Sequence, residues 1–464
     1  MTQLVLFNIF NGLIVGAFYA LMALGLSLIL NLSGVINFAH GGFLAIGGYI
    51  AFTLLPYVGF WGALILSPVL TAFLGIIVER FLIRRLYGRD PLYSLLLTFG
   101  LAFIIEDGTR FIWGAQSLPF QVPSWLVTPL SGDYFFLTGY RLFMVLIVAL
   151  AVGGLFFILT YTRLGIRIRA GTLDLETVAV LGVNVRILRS MNFGLGIYLA
   201  GLAGVLAVGQ LGLQPTIGSS LIMPSFVAII VGGLGSLPGT LLAGVAGTLF
   251  GLLLVRRRGV YFAMVTIAFG QVFYFIAFRW NNVTGGDDGL LGWTRMPLNL
   301  GFTTVDILHN PRAFYYFILV IFAISVGAMA WILRSPFGRT LIAIRENERR
   351  ARFLGIPVDR HIWISWVISC CFVSVAGALY ALLNNFVDPR ALYWTQSGDF
   401  VIMAVLGGMR SFWGPLLGAA IFVLLQDYLS SQTQNWMSFV GLFFVLVVLF
   451  FPRGILGAIR RKVA

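Results

Sequence analysis

Inside an otherwise apolar run, Glu106, Asp107 and Arg110 stand three and four positions apart. Carboxylates at bilayer depth are the usual equipment of a proton relay or ion site. At these spacings on a helix both can also neutralise Arg110, so the run predicts a structural pair toward the outer end of its span. Asn37 and His40 occupy a turn between two apolar runs. They are candidates to line the inner mouth of a pathway, with a hydrogen-bonded structural histidine as the competing role. Lys462 is the single lysine, so no G-x-x-x-x-G-K-[ST] loop, whose lysine holds the β/γ-phosphates, can be built. The histidines are His40, His309 and His361, without H-E-x-x-H spacing. Cys370 and Cys371 are neighbours; on a helix they point about 100° apart, poorly placed to bridge or to hold a metal, and are expected to pack. No catalytic residue, metal site or cofactor is expected.

Whatever these residues do, they do it inside a membrane. The 464 residues are 59% hydrophobic and 10% charged, with a mean hydropathy of +0.98. Soluble chains carry roughly 25% charged residues. Apolar runs long enough for a hydrocarbon core of roughly 30 Å recur from end to end. They predict an all-α, polytopic membrane protein of about 12–14 transmembrane or re-entrant helices. A soluble enzyme, a nucleic-acid binder and a β-barrel are excluded. Spans are expected at about 4–30, 42–58, 60–81, 92–113, 142–161, 187–210, 237–254, 260–280, 314–334, 361–385, 414–428 and 436–452. The first run is too long for a cleavable signal and is expected to stay in the membrane. Two shorter segments, 221–236 and 399–411, are interrupted by Gly232 and Gly233 and by Gly407 and Gly408. Such broken segments at matching places in two halves point to a transport pathway.

Charge orders the loops. The net charge of +14 is almost all arginine, gathered around 80–89, 163–189, 334–360 and the C-terminal tail. Residues 114–140 hold Asp133 alone, and 281–311 hold Asp287, Asp288, Arg295 and Asp306. The basic clusters are therefore expected inside and the two polar loops outside. Counting crossings between basic clusters then requires 221–236 to dip and return, but 399–411 to cross fully.

An internal repeat organises the chain. Gly165, Gly182, Ala203 and Gly204 recur at one constant separation as Gly338, Gly355, Ala376 and Gly377. After a short shift, Gly232, Gly233, Ser236 and Gly239 match Gly407, Gly408, Ser411 and Gly414. Two parallel pseudo-repeats are expected around a central path. In each, glycines bracket a short helix lying between two spans, 166–182 in the first copy and 339–355 in the second. Ala170, Leu173, Val180 and Leu181 in one, with Leu341, Ile344 and Leu354 in the other, make an apolar stripe. Such a helix can dock in a groove of a soluble partner or lie on lipid headgroups; its repetition favours two equivalent partners.

These loops resemble the coupling segments of permease subunits in ATP-binding-cassette importers of branched-chain amino acids. Tyr19-Ala20-Leu21-Met22-Ala23-Leu24-Gly25 and Gly34-Val35-Ile36-Asn37-Phe38-Ala39-His40-Gly41 resemble the start of one permease subunit. Arg258-Gly259-Val260-Tyr261-Phe262-Ala263-Met264 and Thr284-Gly285-Gly286-Asp287-Asp288-Gly289-Leu290 resemble its partner. The resemblance implies a fusion, with 1–250 as a first unit lacking its C-terminal spans and 251–464 as a second lacking its N-terminal spans. It implies a multi-pass permease of the plasma (inner) membrane, working with two cytoplasmic ATPases and an extracytoplasmic substrate-binding protein. The ATPase-coupling residues would be Gly165, Arg169, Leu181, Gly182, Gly338, Arg345, Leu354 and Gly355. Asn37, His40, Gly232, Gly233, Gly407 and Gly408 would be pathway candidates. Urea or amides are alternative substrates. A passive channel, an ion-coupled carrier and a transport-incompetent fusion remnant are the rival roles.

Overall fold

The computed structural model describes residues 21–222, except 90 and 133–134, and 260–456, except 282–284, 292–297, 300–303, 306–310, 385, 410 and 452–453. The expected spans over 4–20 and 237–254, most of segment 221–236, Gly232, Gly233 and the Arg460–Lys462 tail lie outside the described residues. In lipid a backbone must satisfy its own polar groups, and the apolar runs accordingly form helices. In chain order these are α1 (Leu21–Ser33), α2 (Ala39–Phe81), α3 (Pro91–Trp113), α4 (Ser124–Val127), α5 (Gly139–Tyr161), α6 (Arg163–Leu173), α7 (Leu175–Val180) and α8 (Val185–Leu211). They continue with α9 (Val260–Arg279), α10 (Pro311–Arg334), α11 (Pro336–Glu346), α12 (Glu348–Phe353), α13 (Val358–Asn384), α14 (Trp394–Gly407), α15 (Gly414–Gln432) and α16 (Trp436–Phe450). Strands are confined to short antiparallel pairs, such as Pro129–Gly132 with Phe135–Thr138.

Among the described residues, seven helices are long and apolar enough to cross a membrane. The count takes α2 as one, although Gly59, at φ 67°, breaks it into the two spans expected at 42–58 and 60–81. It omits α3, whose 23 residues carry Glu106, Asp107 and Arg110. α14 has 14 residues and rises about 21 Å, short of a hydrocarbon core of roughly 30 Å. Its helix alone does not make the full crossing that the charge pattern demands.

By contacts the chain forms two compact units, Met1–Gly235 with Gly398–Ala464, and Ser236–Ser397. In the first, α8 is enclosed, with 83% of its apolar stretch buried. It meets α1 and α2 backbone to backbone: a Cβ on Gly204 would fall 2.0 Å from the Leu44 carbonyl oxygen. α16 lies against α3 through Gly100 and Gly441, where a Cβ on either would fall 2.8 or 2.5 Å from the other's carbonyl oxygen. Phe422 of α15 stacks on Phe444 of α16 with centroids 5.8 Å apart. The expected second unit, 251–464, would include α15 and α16; in space they group with the unit built from the chain's start.

The second unit is more open. None of the apolar stretch of α10 or α13 is buried, and Cys370 and Cys371, expected to pack, are both exposed. Val373 and Val375 on α13 face outward too, so this helix presents itself to lipid or to another protein rather than to a core.

Candidate functional site

Both repeated segments fold into a helix pair rather than the single helix that their length predicts. α6 opens at Thr162, whose hydroxyl accepts the Gly165 N–H at 3.2 Å. α11 opens at the equivalent position of the second copy, Ser335, whose hydroxyl accepts the Gly338 N–H at 3.3 Å. Gly165 and Gly338 sit where the chain turns back against the preceding span: a Cβ would fall 2.2 Å from the Ile158 carbonyl oxygen in one and 2.3 Å from that of Leu333 in the other. The helix then breaks at Asp174 and at Asn347. Asp174 Oδ1 accepts from the N–H groups of Glu176 and Thr177 at 3.0 and 3.1 Å, and Asn347 Oδ1 accepts from Arg350 N–H at 2.9 Å. Short polar side chains compete with the helix for backbone donors and restart it one turn on. The Thr177 hydroxyl and N–H hold the Asp174 carboxyl below its ordinary range.

Each second helix ends in an apolar pair and a left-handed glycine: Val180-Leu181-Gly182, and Phe353-Leu354-Gly355, with φ of 82° and 80° at the glycines. The apolar side chains stand out from the surface, Leu181 at 75% and Leu354 at 74% exposure, with Val180 and Phe353 more exposed still. The rest of the expected stripe divides. Leu173 is exposed, Ala170 and Leu341 are half-buried, and Ile344 is turned inward as an anchor. Phe353, which the sequence did not single out, takes its place at the tip. Arg169 and Arg345 are both exposed, and Arg169 donates back to the Thr160 carbonyl oxygen at 3.4 Å.

A clamp at the foot of α8 was also missed. Glu79 is fully buried, and Arg84 Nη2 lies 3.1 Å from its Oε2 while also donating to Ser190 Oγ at 2.6 Å. Tyr87 donates its hydroxyl to Glu79 Oε1 at 3.1 Å, and the Arg189 guanidinium lies 4.3 Å over the Tyr87 ring. The signal in the sequence was one carboxylate next to a run of arginines.

Of the membrane-embedded candidates, Glu106 pairs with Arg110 at 3.0 Å as its spacing predicts. Asp107 turns elsewhere: 1% exposed, it accepts from Ser438 N–H at 2.9 Å, capping the first turn of α16 from α3. Asn37 and His40 are fully buried, and their side-chain nitrogens and oxygen lack hydrogen-bond partners. Gly407 and Gly408 form a packed corner in which a Cβ on Gly407 would fall 1.7 Å from the Gly414 carbonyl oxygen.

A helical, multi-pass membrane protein carrying two like-built exposed apolar tips, one per repeat, has the build of a permease. The comparisons make the assignment particular: the chain belongs to the family described as branched-chain amino acid transport system / permease component, which it matches twice, over residues 8–246 and 237–451. It is 27% identical to the high-affinity branched-chain amino acid transport system permease protein LivM of Escherichia coli, over 69% of this chain and 76% of LivM. It is 32% identical to the permease protein BraD of Pseudomonas aeruginosa, over 50% of this chain and 81% of BraD. With LivH of Escherichia coli the identity is 28%, over 51% of this chain and 82% of LivH. No solved structure matches the chain significantly.

Proposed function

We propose that the chain is the membrane permease of an ATP-powered importer that carries branched-chain amino acids across the inner membrane into the cytoplasm. Its two sequence units, 1–250 and 251–464, correspond to two permease subunits joined in one polypeptide. An extracytoplasmic binding protein hands over the substrate, and two cytoplasmic ATPases supply the energy, since the chain has no lysine for a phosphate loop. The observation that carries the reading is the pair of tips, Val180-Leu181-Gly182 and Phe353-Leu354-Gly355, built on the same caps at matching places in the two copies. Gly165, Arg169, Leu181 and Gly182 seat one ATPase, and Gly338, Arg345, Leu354 and Gly355 seat the other. Closure of the ATPases shifts the permease between two states through these seats. Asn37 and His40 line the path, with Gly232, Gly233, Gly407 and Gly408 as the further pathway residues. Residues 114–140 and 281–311 face outward.

An ion-coupled carrier would need free carboxylates at depth. Glu106 and Asp107 are both engaged, one by Arg110 and one by α16, whereas Asp399 of α14 keeps a buried, unpartnered Oδ1 and is the carboxylate on which that rival would have to rest. The test is reconstitution in vesicles with the two ATPases and a leucine-binding protein, following labelled leucine and labelled urea. ATP-dependent leucine uptake is the expected result. Leucine flux without ATP at channel-like rates overturns the coupling, and preferential urea uptake overturns the substrate.

A further inference from the structure

The turn between α1 and α2 holds two fully buried polar side chains, Asn37 and His40. Asn37 Oδ1 and Nδ2 and His40 Nδ1 and Nε2 are all unpartnered. The imidazole has the Met22 backbone beside it as a polar neighbour, whereas Asn37 has neither its amide oxygen nor its nitrogen engaged among the described residues. Asn37 is not needed to hold its own turn. Thr98 Oγ1 lies 3.0 Å from the Ile36 carbonyl oxygen and accepts from Phe38 N–H at 3.1 Å, so the backbone on both sides is stapled by α3. Nor does Asn37 cap α2, whose first turn has no side-chain cap. On α8, Asn192 donates to the Leu28 carbonyl oxygen at 2.6 Å and leaves its own amide oxygen unpartnered. Unpaired polar groups buried at such a place are costly, and each calls for a reason.

Glycines wall the cluster. A Cβ on Gly25 would fall 2.9 Å from His40 Nε2 and 2.6 Å from the Gly196 carbonyl oxygen, and one on Gly41 would fall 2.3 Å from that of Gly218. Here α1 meets α8, and α2 meets the helical turn at 217–222, with backbone against backbone at the glycines. Seams of this kind shut the cluster off, yet can part by sliding.

We propose that Asn37 and His40, at the N-terminus of α2, are the inner contact for the zwitterionic head of the transported amino acid, exposed when the glycine seams part. This rests on the importer reading and names residues for it. The chemistry is matched and neutral. The Asn37 carbonyl and the unprotonated imidazole nitrogen accept from an ammonium, while the Asn37 amide and the imidazole N–H donate to a carboxylate. The N-terminal end of α2, which no side chain caps, adds the favourable end of a helix dipole for the carboxylate. With no net charge in the site, the substrate is recognised and still released, as conduction requires. The nearby charged pair, Glu79 with Arg84, is spent on the clamp.

The test uses the full chain with its ATPases and binding protein in vesicles. Asn37→Leu and His40→Leu should each lower leucine carried per ATP hydrolysed by about tenfold or more, while ATP hydrolysis stimulated by the binding protein persists. His40→Gln, which keeps a donor and an acceptor, should recover most of what His40→Leu loses. In a Cys370→Ser, Cys371→Ser background, Asn37→Cys should react with a small thiol reagent, and leucine should slow that reaction about tenfold. 4-Methylpentanoate, which lacks the ammonium, should not. Wild-type leucine per ATP in both Leu variants, or equal protection by leucine and 4-methylpentanoate, overturns the proposal. Absence of ATP-driven uptake by the unsubstituted chain would instead fall on the importer reading, and the thiol protection still decides this one.

Discussion

Asp174 and Asn347 cap the same turn in the two copies of the coupling segment, but the ground beneath the two turns differs. In the first segment Ile168, Val178 and Leu188 close on Leu32 of α1, and the buried Glu79–Arg84–Ser190 clamp fixes the foot of α8 just beyond it. In the second, the anchor is Ile344, Ala351 and Val358, all local, and the charges are surface ones. Arg352 reaches Glu348 at 3.0 Å and Asp359 at 3.1 Å, with all three side chains open to solvent. Position 179, where the second copy has Arg352, is alanine, and position 186, where it has Asp359, is arginine. The tips have kept their form while the means of holding them diverged. On the importer reading, the shared form of the tips is the part that meets a partner, and the differing foundations need only hold it in place.

Breaking the foundations should expose the largest contrast. Arg84→Leu leaves a fully buried carboxylate without its cation, a change worth about 3–5 kcal/mol. It should lower thermal stability in detergent and loosen the α8 foot, read as faster hydrogen exchange over 184–190. Arg352→Ala removes exposed pairs worth about 0–1 kcal/mol and should leave the melting temperature nearly unchanged. Equal losses would mean that the two segments are held alike.

The tips should answer alike. Leu181→Asp and Leu354→Asp each place a charge where an apolar groove must close, at a cost of at least about 1–3 kcal/mol. Each should reduce co-purified ATPase by about tenfold or more while membrane insertion is retained. Retention of the ATPases at the unsubstituted ratio in both would make these segments membrane-surface helices.

The caps should give a smaller, matched effect. Asp174→Ala and Asn347→Ala each remove the side-chain acceptor that restarts a helix, a loss measurable as a few-fold rise in local exchange at Thr177 and Arg350. Acid then separates them. Hydrogen bonds from Thr177 lower the Asp174 carboxyl below its ordinary value of 3.8. Its cap is therefore fully present above that value and is lost as pH falls through the lowered one. Asn347 has no such proton to gain. Exchange over 174–182 should rise in strong acid by more than exchange over 347–355, and a parallel rise would remove Asp174 as the cause.

Much of this was legible because lipid simplifies the code. Uninterrupted apolar runs must become helices, and the break at Gly59 between two expected spans fell where α2 kinks. The repeat was legible because glycines at forced positions cannot drift: Gly182 and Gly355 need left-handed backbone, and Gly165 and Gly338 need close approach. The split of each coupling segment was missed because Asp174 and Asn347 are unremarkable mid-helix until their side chains compete for the backbone. Phe353 was overlooked among arginines. Glu79 and Asp107 escaped because their partners, Ser190 and Ser438, are distant in sequence and chemically ordinary.

The hydrogen bond from Ser438 to Asp107 joins positions 331 apart, and this sets a timetable for the ribosome. Asp107 enters the bilayer early, as part of α3. The helix whose first turn it caps is translated last. At roughly 5–20 residues per second the interval is on the order of half a minute, during which Glu106 already occupies Arg110 and Asp107 has no assigned cation. The close contact of Gly100 with Gly441 likewise forms only after α16 has been made. An early helix and a late one are thus joined by a buried carboxylate and a glycine contact that neither can complete alone.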